Sequence, residues 1–221
     1  MARVSQEHLD ARRRQILEGA SRCFADNGFH ATSMQDVLRE VDLSAGAVYR
    51  YFAGKEELIG AIAADVLGAV RGAFDRAARI HPLPPPDVLL GEVMRELLEG
   101  GTPVVGGDLR ASSRLIVQVW AETLRNEQLA EVLRDGFEKL RAVWVPLIEA
   151  YQRAGLMRAD MPALDVARTM IAAAQGFMVQ QALFGETPIE VLQNGLRALM
   201  SMGDGGPDDA AVVNAPVKLP S

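Results

Sequence analysis

Apolar positions along the chain recur with a helical period almost throughout, and no stretch alternates with a period of two over the length of a strand. Ile16, Leu17, Ala20, Cys23 and Phe24 fall on one helical face, opposite Arg13, Glu18 and Arg22. Gly28 stands where a left-handed residue would end that helix, and Phe29 is placed for the hydrophobic contact that accompanies such an end. Ser33 followed by Asp36 predicts the N-terminus of a second helix, a capping box with Asp in the Glu/Gln place, whose inner face is Met34, Val37, Leu38 and Val41. Asp42 tolerates left-handed backbone, and Ser44 is the expected N-cap of a third helix over 45–52. A fourth helix, capped by Gly54, carries Leu58, Ile62, Val66, Val70 and Phe74 and is expected to run from Lys55 to Arg79. The segment "HPLPPPD" at 81–87 cannot continue it, because proline lacks the amide donor and clashes with the preceding turn. Further helices are predicted at about 87–99, 108–126, 127–154, 163–184 and 188–202, followed by an aperiodic tail expected to be disordered over 204–221. The pattern predicts an all-α chain with an N-terminal domain over 1–80 and a larger helical domain over 84–203.

Composition narrows the picture without naming a function. With 221 residues, 49% of them hydrophobic, the chain can bury a sizeable core. The net charge is −6, of which residues 1–60 carry −1, so bulk charge does not announce a polyanionic partner. A lone cysteine, Cys23, excludes an internal disulfide and fits a small core residue in a reducing compartment. The charged start "MARVSQEHLDARRRQIL" lacks the apolar segment of a signal peptide, and no run approaches a membrane span. The expectation is a cytoplasmic protein with no membrane partner.

The chemistry concentrates in "LSAGAVYRYFAGKEELI", where two phenols and two cations crowd beside small residues. Two short helices joined by a tight turn and packed on a longer one describe a helix-turn-helix, whose second short helix enters the DNA major groove. Ala45, Gly46 and Ala47 are slim enough for that entry; Thr32, Ser33, Tyr49, Tyr51 and Lys55 suit phosphate oxygens, and Ser44, at the start of the same helix, is a further DNA-binding candidate. Residues 12–62, from "RRRQIL" through "NGFHATS" and "LSAGAVYRYF" to "KEEL", resemble the TetR family of transcriptional regulators. The resemblance implies a helix-turn-helix head, with Gln35, Ala45, Gly46 and Tyr49 near bases and Ser33, Tyr49, Tyr51 and Lys55 near phosphates. Two positions depart from the family pattern, Asp42 where Gly is usual and Gly54 where Ser or Pro is common, and both are conformationally compatible.

Beyond the prolines, large apolar side chains with polar ones interspersed mark a region suited to a small, largely apolar molecule. Arg114, Gln118, Trp120, Glu122, Phe137, Trp144, Tyr151, Met170, Phe177 and Gln181 compose it. Small residues around Ala174, with Met178, Ile189, Leu192, Leu196 and Leu199, mark a helix pair that in the family forms a homodimer interface. The resemblance thus implies a homodimer on a double-stranded DNA operator, released by a small-molecule effector. No metal-ligand spacing or Gly-rich phosphate loop appears, so no catalytic residue, metal or cofactor is expected. A hydrolase-type enzyme with an appended helical head, and a ligand-independent DNA-organising protein, are the alternatives.

Overall fold

The computed structural model describes residues 6–77, 79–80, 82–99, 109–185 and 187–200. Among them nine helices and no strand occur: α1 Gln6–Asn27, α2 Met34–Val41, α3 Ala45–Tyr49, α4 Lys55–Ala77, α5 Pro86–Glu99, α6 Leu109–Glu122, α7 Glu127–Arg153, α8 Ala163–Phe184 and α9 Ile189–Met200. The expected tail at 204–221 lies outside the described residues. Helix α3 is shorter than its sequence pattern suggests. The amides of Tyr51 and Phe52 both turn back to the Val48 carbonyl, at 2.9 and 3.1 Å, and Phe52 drops into the core. Helix α6 stops at Glu122, short of the expected 126. Residues 123–125 form a turn, and the Asn126 side chain accepts from the Leu129 amide at 3.0 Å, which makes Asn126 the N-cap of α7.

Local chemistry explains the head. Ser33 caps α2 reciprocally: its hydroxyl oxygen accepts from the Asp36 amide, while the Asp36 carboxylate accepts from the Ser33 amide at 2.9 Å and hydroxyl at 2.6 Å. These bonds hold the Asp36 carboxyl below its ordinary range. Asp42 ends α2 in the left-handed region at φ 51°, ψ 50°, and its amide turns back toward Leu38 and Arg39. Gly28 does the same for α1, with φ 85° and its amide on the Phe24 carbonyl at 2.9 Å. Phe29 then packs edge-on against Phe24, with ring centroids 5.4 Å apart.

Two hydrophobic cores follow, and α4 threads both. Its first half, through Leu58, Ile59 and Ile62, joins Ile16, Phe24, Val37, Val48 and Phe52 in the head core. Its second half, through Ala73 and Phe74, joins Leu89, Leu90, Trp144 and Ile148 in the body core. The head core does not stop at the proline segment, because Leu115 and Val119 of α6 and Leu129 and Leu133 of α7 belong to it. Helices α4 and α7 are neighbours that approach at Gly136, where any Cβ would collide with the Leu67 side chain. Across the body, α5 lies on α9, α6 on α8 and α7 on α8. Asp87, buried at the start of α5, accepts from Arg197 of α9 at 2.8 and 2.9 Å, and the Tyr151 hydroxyl donates to the Pro84 carbonyl at 2.7 Å. Burial raises the Tyr151 phenol well above its ordinary value, so it remains a neutral donor.

Candidate functional site

The helix-turn-helix presents an exposed surface built around α3. Ser44 caps it through its hydroxyl, which accepts from the Ala47 amide at 3.3 Å. Val48 is fully buried and anchors the short helix, which leaves Ala45, Gly46 and Tyr49 facing outward. A Cβ on Gly46 would meet nothing within 4 Å, so open space surrounds it. Gln35 and Ser33 are exposed on the neighbouring α2, and Tyr51 is half-buried. Arg50 is an exposed cation between the two tyrosines.

Two residues expected on this surface have other work in the fold. Thr32 is buried, and its hydroxyl donates to the backbone oxygens of Cys23 and Gly28, at 3.0 and 2.8 Å. It closes the α1–α2 turn and offers no hydroxyl to a phosphate. Lys55 is half-buried, with its ammonium donating to the carbonyls of Phe29 at 2.7 Å and Thr32 at 3.0 Å and lying 4.6 Å from the Phe29 ring centroid. An ammonium has three donors, so one remains. Its first role is to tie α4 to the turn before α2.

Below the head lies a cavity of about 120 Å³, walled by α4, α5, α6, α7 and α8. Ile62 and Leu115 on its wall belong to the head core, whereas Phe74 and Trp144 belong to the body core. Among the described residues none that lines it is ionisable, and Ser112 and Gln175 are the only polar side chains there apart from the indoles of Trp120 and Trp144. The cavity meets a wider groove through shared walls at Trp120, Phe137, Ile171 and Gln175, and Arg134, Arg141 and Arg168 stand along that groove.

Of the side chains expected to compose the ligand region, Trp120, Phe137 and Trp144 line the cavity. Tyr151, Met170 and Phe177 are body-core residues, and Tyr151 is further committed to Pro84. Gln181 is buried away from it, with its amide bonded to the backbone of Thr187, whose N–H reaches Oε1 at 2.9 Å. Arg114 is exposed. Gln118 and Glu122 point to the head instead: Gln118 Oε1 accepts from the Phe29 amide at 3.0 Å, and Glu122 lies 3.1 Å from the His30 ring. Most of the wall, including Ile62, Phe74, Leu90 and Leu115, is not distinguished from core by its sequence pattern, and Ala174 and Met178, expected at a subunit interface, face the cavity. The other expected interface positions divide as well. Ile189 and Leu196 are buried in this chain's own core, Leu192 is partly buried against it, and Leu199 is 67% exposed. Exposure instead marks Leu183, Phe184, Val191 and Leu199, with Gly176 and Gly195 bare of neighbours. A helical period finds a buried stripe, but it does not say whether the covering surface belongs to the same chain.

Among the described residues, no group of three His, Cys, Asp or Glu side chains is placed to hold a metal ion, and no helix is long and apolar enough to cross a membrane. Comparison with known proteins agrees with the geometry of the head. Residues 16–62 match the model of bacterial regulatory proteins of the tetR family, and residues 92–202 match that of the C-terminal part of BetI-type transcriptional repressors. An HTH-type transcriptional repressor of Mycobacterium tuberculosis is 28% identical over 89% of this chain and 99% of its own length. The repressor AcnR of Corynebacterium diphtheriae is 31% identical over 83% of this chain and 88% of its own. Salmonella enterica GusR, a solved structure, superposes with a TM-score of 0.67 at 26% identity, covering 90% of this chain and 99% of that one. With this helix-turn-helix head set on a helical body that matches the repressor model, the chain belongs to the TetR family and is a DNA-binding transcriptional regulator.

Proposed function

We propose that the protein is a homodimeric repressor that binds an inverted-repeat operator and leaves it when a small, largely apolar effector fills the cavity. The observation that carries this reading is the position of the cavity. It lies where the head core meets the body core, against both α4 and α6. Helix α4 begins at Lys55, which holds the turn before α2, and α6 holds the same turn through Gln118 and Phe29. A ligand that separates α4 from α6 therefore acts on both attachments of the recognition unit. Differential affinity for the two arrangements is the required driving force.

The recognition surface in this reading is Gln35, Ser44, Ala45, Gly46 and Tyr49, with Ser33, Arg50, Tyr51 and the remaining donor of Lys55 directed at phosphates. Its partner surface for dimerisation is the exposed stripe of Leu183, Phe184, Val191 and Leu199. Two heads joined rigidly make the second DNA contact intramolecular, which a single short helix with small side chains needs for selectivity. The test is to select genomic DNA fragments retained by the full-length protein and titrate the recovered sequence at several salt concentrations. An inverted repeat bound two subunits at a time is expected. Binding indifferent to sequence would favour the DNA-organising alternative and overturn the operator reading.

A further inference from the structure

Trp144 lines the cavity and is 1% exposed, with its ring packed on Phe74 at a centroid distance of 4.6 Å. Its Nε1–H is buried and has no acceptor among the described residues. Indole nitrogen is a donor only, and a buried donor without an acceptor is costly. An ordered buried water needs about two to four polar partners, and among the described wall residues Ser112 and Gln175 can join the Trp144 N–H in holding one, so a ligand oxygen that displaces it must accept the same bond. The same wall disfavours charge. Among the described residues no ionisable side chain lines it, and a desolvated ion without a partner carries a large penalty. Size sets a further bound, since the volume of about 120 Å³ approaches that of apolar cavities of roughly 150 Å³ that admit a benzene ring.

We infer that the cavity takes a neutral, compact, mainly apolar ligand whose acceptor oxygen, a carbonyl or ether, receives the Trp144 Nε1–H. Its role as effector rests on the repressor reading above, whereas its chemistry rests on the cavity alone. The arginines along the outer groove stand outside the uncharged wall, and two of them are already paired with carboxylates, Arg134 with Glu127 and Arg141 with Glu138.

Both tryptophans of the chain line the cavity, so intrinsic fluorescence reports directly on its occupancy. Full-length protein would be titrated with acetophenone, ethylbenzene, benzoate and phenyltrimethylammonium, four probes sharing one ring, with calorimetry alongside. Acetophenone should bind about tenfold tighter than ethylbenzene, the worth of one net hydrogen bond, and both ions should bind more weakly than acetophenone. In Trp144→Phe the preference for acetophenone over ethylbenzene should fall to about unity, with Trp120 left as reporter. If that variant does not fold, the ranking of probes on the unmodified protein still decides. Equal affinity for acetophenone and ethylbenzene, an ion binding as tightly as acetophenone, or no binding by any probe would overturn the inference. Acetophenone bound tightly without any change in operator affinity would instead overturn the effector reading and leave the ligand chemistry standing.

Discussion

Asp42 and Lys55 differ in how far their partners lie along the chain, and that difference decided what could be read from sequence. The capping box at Ser33 and the left-handed turn at Asp42 are settled within a few neighbouring residues, so their chemistry was legible. Lys55 is not of that kind: its carbonyl partners lie 26 and 23 residues away, and only the packed turn brings them to its ammonium. Lys55→Ala should accordingly destabilise the fold by about 1–2 kcal/mol in urea titrations, since two charge-assisted hydrogen bonds are lost. A Lys55→Ala protein as stable as the parent would return Lys55 to a purely phosphate-binding role. Asp42→Gly should stabilise by roughly 0.5–1 kcal/mol, because glycine adopts φ 51° without a Cβ penalty. Gly46→Leu should leave the melting temperature level or slightly higher and abolish operator binding, as its Cβ enters open space on the recognition face. The Asp36 carboxyl is held below its ordinary value by Ser33, so the folded state gains from its ionisation above that value. That gain disappears as the pH falls through the lowered one, and the stability difference from Asp36→Asn should shrink as acid titration passes below 3.8.

Element by element, helical periodicity was a good guide to where helices lie and a poor one to what covers them. Helix α8 occupies the expected 163–184, because an apolar run bounded by Pro162 and Gly185 leaves little freedom. Within it, however, apolar residues occupy several faces: Phe177 joins the core, Met178 lines the cavity and Phe184 is 77% exposed. No periodicity separates those three destinations. The α5–α9 contact was likewise invisible, since Asp87 and Arg197 are 110 positions apart and their pairing depends on packing. Their ion pair is asymmetric, with the carboxylate buried and the arginine side chain 61% exposed. Arg197→Met strands a buried charge, so it should cost about 2 kcal/mol or more, whereas Asp87→Asn leaves a cation already in water and should cost less. Thermal melts of the two variants side by side check the order.

For the whole molecule, the corrected faces change what an assembly experiment should use. Leu196→Glu would bury a carboxylate inside the chain's own core, and its expected result is an unfolded protein. Phe184→Glu or Leu199→Glu places the charge on the exposed stripe, so each should yield folded monomers by analytical ultracentrifugation and weaken operator binding far more than non-specific binding. A Phe184→Glu protein that stays dimeric would move the interface off this face. Coupling between cavity and head should show in Gln118→Leu, which loses the acceptor for the Phe29 amide: effector affinity should hold while effector-driven DNA release weakens several-fold. The head also carries one reactive atom of its own. Cys23, the chain's single thiol, sits in the head core with burial pushing its pKa upward, and its carbonyl is bound by Thr32. A disulfide reagent can modify it only when α1 and the turn before α2 come apart. The labelling rate is therefore a clock for opening of the head core, needing no engineered probe, and operator DNA should slow it in proportion to the fraction of heads bound.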